Sequence, residues 1–146
     1  MTYQNILVPV DGSETAMTVV KHAAELAKKF NSKVTVVQVM TLAPYIASEY
    51  FAYGQSNQLI ERARNFIKEN IEKAQQAFAA EGIEAETLLL EGENIHQTIA
   101  QAVTDKQIDL VVLSSHGRTG IKKLFLGSVA QSLITELNIP VLVVKN

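Results

Sequence analysis

The stretch DLVVLSSHGRTGIKKLFLGS, Asp109–Ser128, decides the fold. Its opening run, Leu110–Leu113, is apolar without alternation, which suits a strand covered on both faces. At Ser114 the chain turns polar. It passes Gly117 and Gly120, gathers Arg118, Lys122 and Lys123, and resumes helical spacing after Gly127-Ser128. A buried strand feeding a glycine-bearing loop and then a helix is the repeating step of an α/β sheet.

Outward from this step the pattern repeats. Further β-rich runs lie at Asn5–Val10 (NILVPV), Lys33–Met40 (KVTVVQVM), Glu84–Leu90 (EAETLLL) and Pro140–Val144 (PVLVV), with Asp109–Ser114 between the last two. Helix-period segments separate them at Glu14–Phe30, Ser56–Glu81, Asn94–Thr104 and Ser128–Leu137. The alternation predicts an open parallel sheet with helices on both faces.

Local signals mark several element ends. In the second helix, Leu59, Ala63, Phe66, Ile67, Asn70, Ile71, Ala74, Ala77 and Phe78 keep three-four spacing, leaving Glu61, Arg62, Arg64, Lys68 and Glu69 to solvent. Gly82 follows where a left-handed cap is wanted. Asn94 with Gln97, and Ser128 with Gln131, each resemble a capping box. The connection Thr41–Gly54 is long and carries Tyr45, Tyr50, Phe51 and Tyr53. It is either a binding loop or interface, or a segment whose aromatics pin it to the sheet edge.

Composition narrows the function classes. The 146 residues suit one domain, 47% hydrophobic and 19% charged, with no Cys for disulfides, zinc-thiolate sites or a thiol nucleophile. A formal net charge of −2, with no clustered basic face, argues against nucleic acid as a partner. The apolar runs are too short to span a membrane, and MTYQNILVPVDG enters a strand with no leader pattern, so a cytoplasmic protein is expected.

In such a sheet, ligands sit beyond the carboxyl ends of strands, where the strand order reverses. A central first strand would bring its end, Pro9-Val10-Asp11-Gly12, beside the end of the fourth, Ser114–Gly117. Gly117 and Gly120 let backbone N–H groups approach a ligand closely. Gly127-Ser128 opens a helix, whose unpaired N–H groups and positive dipole end favour phosphate. Asp11 carries the wrong charge for phosphate and suits a sugar hydroxyl or a metal. Neither the G-x-x-x-x-G-K-[ST] loop nor a G-x-G-x-x-G fingerprint after the first strand occurs.

Together ILVPVDGSE, VTVVQVM, SSHGRTGIKKLFLGSVAQSLI and PVLVV resemble the universal stress protein family, in its single-domain, UspA-like form, over the whole chain. The resemblance implies a five-stranded parallel sheet of order 3-2-1-4-5, Rossmann-like and of the adenine nucleotide alpha hydrolase type. ATP-binding members carry glycine, two residues, glycine, nine residues, then glycine followed by Ser or Thr. Gly117, nine intervening residues, Gly127 and Ser128 match this pattern, while Ser114 stands where the first glycine would be.

The resemblance further implies ATP, or ADP or AMP, as ligand. Asp11 would hold the ribose, the strand end at Val39 and Met40 would meet the adenine, and Pro9 and Val10 would line the base pocket. Gly117, Arg118, Gly127, Ser128 and Val129 would surround the phosphates, with His116 shaping the loop. Ser114 would either donate to the ligand or fill its space. A divalent cation such as Mg or Mn would ride mainly on the phosphates and water, and the edge strand Pro140–Val144 would pair in a homodimer.

Simpler roles stand beside these. Ser128 works as an N-cap, Asp11-Gly12-Ser13 as a cap of the first helix, and the loop glycines as turn formers. Ser114, His116 and Asp11 form a catalytic triad only on paper, because no nucleophile elbow accompanies them. His22 and His96 are expected on helix surfaces. The resulting expectation is an ATP-binding regulatory or stress-response protein. Its alternatives are a slow ATPase, or a nucleotide-independent dimerisation module if Ser114 blocks the phosphate site.

Overall fold

The computed structural model describes residues 3–12, 15–41, 55–115 and 127–145. The described chain alternates strand and helix throughout: β1 Asn5–Pro9, α1 Thr15–Phe30, β2 Lys33–Thr41, α2 Gln55–Ala80, β3 Ala85–Gly92, α3 Ile95–Asp105, β4 Leu110–Ser114, α4 Ser128–Glu136 and β5 Val141–Val144. The strands form one parallel sheet in the order β3-β2-β1-β4-β5. The expected fold is therefore the observed one. The loop part of Thr41–Gly54 and the stretch His116–Leu126 lie outside the described residues.

Strand alternation divides the core in two. Ile6, Val8, Val34, Val36 and Val112 face α1 and α2, where they meet Val20, Ala23, Ala24, Ile71, Ala74 and Phe78. Leu7, Val37, Val111 and Leu113 face α3 and α4, against Ile99, Val103, Ala130 and Leu133. Ile6, Leu7 and Val8 are each fully buried, which explains why β1 reads as a continuous apolar run.

In α2 the buried stripe is narrower than its spacing predicts. Ile67, Asn70, Ile71, Ala74 and Phe78 are buried, but Leu59 and Phe66 are exposed. At about 100° per residue these two sit near the edge of the stripe. Arg64, expected in solvent, pairs with Glu61 and with Glu91 on β3, the latter at 2.7 Å. The Glu91 hydrogen bond is the largest of the influences that hold its guanidinium pKa above the ordinary value.

Helix ends follow stereochemistry. Ile83 N–H donates to Phe78 O at 2.9 Å and Gly82 N–H to Ala79 O at 3.0 Å, with Gly82 at φ +83°. That is the left-handed cap foreseen for α2. The end of α3 uses the same pair of bonds with Gln107, at φ +54°, in the left-handed position.

The entry to β1 is fixed from the far side of the chain. The Asp109 carboxylate accepts from Gln4 N–H at 2.8 Å and Asn5 N–H at 2.9 Å, and Asp109 N–H donates to Asn5 O at 3.0 Å. This clamp sets β1 beside β4. Asp109→Ala removes both carboxylate bonds and is expected to cost about 1–2 kcal/mol, since charge-assisted bonds at a partly exposed site sit at the low end of their range. Urea unfolding should show a lower midpoint at unchanged slope.

Candidate functional site

The carboxyl ends of β1 and β4 are neighbours. Leu7 lies beside Val111, and the same offset carries Asp11 toward Ser115. Two segments predicted from distant parts of the sequence thus meet at one edge of the sheet. Pro9 ends β1 opposite Val37, and Val10 N–H donates to Val37 O at 2.8 Å before Asp11 leaves the sheet, half-buried. On β2, Val39 packs toward the α3 and α4 face, while Met40 is buried on the other.

The helix end is tied to the strand end directly. Gly127 N–H donates to Ser115 O at 2.7 Å, and Ser115 N–H donates to Val144 O at 2.9 Å. The start of α4 is therefore stitched to the last turn of β4. Gly127, at φ −63° and ψ 157°, is the N-cap, and its carbonyl takes the first helical bond from Gln131 N–H at 3.0 Å. The expected Ser128 cap is corrected: Ser128 is the first helical residue, because the extended conformation falls one position earlier. No acidic side chain occupies the first turn of α4. The amides of Ser128, Val129 and Ala130 are the ones a helix start leaves without intrahelical partners.

Ser114 closes β4 in register with Val144 and is half-buried. Alternation continues from Val112, on the α1 side, and Leu113, on the α4 side. Ser114 accordingly turns toward the α1 side of the sheet, away from the helix start at Gly127. His116, Gly117 and Arg118 belong to the stretch outside the described residues.

Asn70 was visible in the sequence only as a polar residue in the apolar stripe of α2. It is nine-tenths buried, and its side chain packs on Gly12, the residue after Asp11. Gly12 stands at φ +82°, and a Cβ there would lie 2.5 Å from Asn70 Nδ2. Glycine is required twice over, by conformation and by space. His96, expected at the surface, is three-quarters buried and pairs through Nδ1 with Glu136 Oε2 at 2.9 Å, joining α3 to α4. Asn94 caps α3 as expected, accepting Gln97 N–H at 3.1 Å.

These elements bring to one edge of the sheet a helix start without a side-chain cap and a strand end that carries a carboxylate. The profile of the universal stress protein family matches residues 2–145, and the chain belongs to this family. Among similar proteins is the universal stress protein MJ0531 of Methanocaldococcus jannaschii, 32% identical over 98% of this chain and 82% of its own. The solved structure of MJ0577 from the same organism superposes with a TM-score of 0.85 at 28% identity, covering 100% of this chain and 98% of the other. A universal stress protein of Archaeoglobus fulgidus, solved in complex with dAMP, gives 0.69 at 25% identity, covering 99% and 100%. No helix among the described residues is long and apolar enough to cross a membrane.

The Gly12 contact separates two costs that are usually confounded. Gly82 has the same positive φ but nothing within 4 Å of a built Cβ. Gly82→Ala should lose only the conformational term, about 1–2 kcal/mol. Gly12→Ala should lose that and the displacement of Asn70, and so show the larger drop in thermal midpoint. Equal drops would mean that Asn70 moves aside freely.

Proposed function

We propose that this protein binds an adenine nucleotide, ATP foremost with ADP and AMP as weaker relatives, and acts as a nucleotide-dependent regulatory or stress-response protein in the cytoplasm. The observation that carries the reading is the 2.7 Å bond from Gly127 N–H to Ser115 O. It anchors a helix start, free of acidic side chains, at the sheet edge that Asp11 also reaches. A helix start is a ready anion site, and a carboxylate nearby suits ribose hydroxyls. That a family member 25% identical was solved with dAMP supports the same ligand class.

In this reading Asp11 holds the ribose, Pro9, Val10, Val39 and Met40 border the base, and Gly127, Ser128 and Val129 receive phosphate oxygens. The loop residues His116, Gly117 and Arg118 complete the grip, and Ser114 leaves the phosphate side clear. The residues fit an anion and a sugar. Among the described residues no cluster of three or more His, Asp or Glu forms a metal cage, so a Mg or Mn ion would be carried by the phosphates themselves.

Thermal unfolding with and without ATP tests the ligand, alongside mass spectrometry of nucleotide released from fresh protein. ATP at 100 times its dissociation constant is expected to stabilise by about 2.7 kcal/mol, and Asp11→Ala should lose most of that shift. Absence of both released nucleotide and any shift overturns the reading. Rapid turnover of ATP that Asp11→Ala abolishes would make the protein an ATPase instead.

The same reading includes a homodimer through β5. This strand ends the sheet, Leu142 is exposed, and a shallow hollow of about 220 Å³ beside it is lined by His22, Glu25, Leu26 and Lys29 of α1. An apolar edge strand is ordinarily paired or covered. Sedimentation velocity at micromolar concentration should show a dimer, and Leu142→Asp should shift it toward monomer. A wild-type monomer at that concentration would rule the dimer out.

A further inference from the structure

Two side-chain atoms among the described residues are buried without a hydrogen-bond partner, Gln38 Oε1 and Asn70 Nδ2. Both belong to the same side of the sheet. Val34 and Val36 face α1 and α2, so alternation turns Gln38 to that side, where α2 also carries Asn70. Gln38 follows Val37, the residue whose carbonyl receives the N–H of Val10. Asn70 packs on Gly12. One orphan is an acceptor and the other a donor, and both lie where β1 gives way to the Asp11–Gly12 turn.

Buried polar groups without partners are rare and costly, and each one calls for a cause. Here the apolar alternative was at hand, since Asn70 occupies a stripe otherwise made of Ile67, Ile71, Ala74 and Phe78. A leucine would have filled the position at no polar cost. The amide instead rests against the one glycine whose backbone conformation orients Asp11, with a donor aimed at a turn that offers two carbonyls.

We infer that Asn70 is a positioning residue of the nucleotide site, whose Nδ2 donates to a backbone carbonyl of the Asp11–Gly12 turn when ligand is bound. This rests on the nucleotide reading above and adds to it a residue from outside the sheet edge. Ligand binding draws Asp11 toward the ribose, the turn rotates, and its carbonyl comes into reach of the waiting donor. The buried donor without a partner is thus given its acceptor in the complex. Binding energy is thereby coupled to α2 through Asn70.

The test compares the full chain with Asn70→Leu, a change that removes the donor and keeps the branching at Cγ. Without ligand the variant should melt at the same temperature or higher, since an unsatisfied amide has been removed. Its dissociation constant for ATP should rise about tenfold, the effect of one hydrogen bond made only in the complex. In the wild type, the assigned side-chain NH2 resonances of Asn70 should move downfield as ATP saturates the protein. Unchanged affinity in Asn70→Leu overturns the inference while leaving nucleotide binding intact, and so do unmoved Asn70 resonances in a wild type that binds. A wild type that binds no adenine nucleotide overturns both readings. If Asn70→Leu fails to fold, the wild-type resonances alone decide.

Discussion

The whole arrangement depends on burying β1 from both sides. Ile6, Leu7 and Val8 have no exposed surface, and three such side chains contribute roughly 1.5–3 kcal/mol each by leaving water. A strand so covered has no room for a polar side chain along its length. Chemistry is pushed to its ends, where helices no longer roof the sheet. At the amino end the chain spends its polarity on structure, through the Asp109 clamp on Gln4 and Asn5. At the carboxyl end Asp11 and Gly12 emerge beside β4. The separation of a structural end from a chemical end follows from the central position of one strand.

Much of this was legible in the sequence because burial on two faces leaves a distinctive trace. Non-alternating runs such as ILV and LVVL, spaced by helix-period segments, leave few architectures open, and element bounds moved by only a residue or two. The strand order was a different matter. Periodicity alone does not say that β4 rather than β3 lies beside β1, and the order was expected from family resemblance. What periodicity did not reveal were contacts between residues far apart in the chain: Arg64 with Glu91, His96 with Glu136, Asp109 with the start of β1. Each residue reads as an ordinary surface charge until the fold supplies its partner.

The candidate site shows a finer limit. Gly127 and Ser128 are adjacent, and the sequence pattern gives the cap to Ser128 on the strength of Gln131. The structure shifts it by one residue, because the bond from Gly127 N–H to Ser115 O holds Gly127 extended. Asn70 escaped notice for the opposite reason. Its spacing is that of a core residue, and it is in fact buried, so only the absence of a partner for Nδ2 distinguishes it.

The contrast between two helix starts bears most directly on function. Both α3 and α4 begin at the carboxyl edge of the sheet, and both face the need to satisfy the donors of a first turn. For α3 the solution is internal: the side chain of Asn94 accepts from Gln97 N–H, a cap worth about 1 kcal/mol. For α4 the N-cap is Gly127, which has no side chain to offer. A serine, aspartate or asparagine at 127 would stabilise the helix and occupy the donors. Glycine brings no side-chain acceptor to them at the edge where β1 and β4 end, and it also allows close approach by another group. A helix start without a side-chain cap, beside a capped one in the same fold, is the arrangement that the proposed anion would complete by supplying an acceptor.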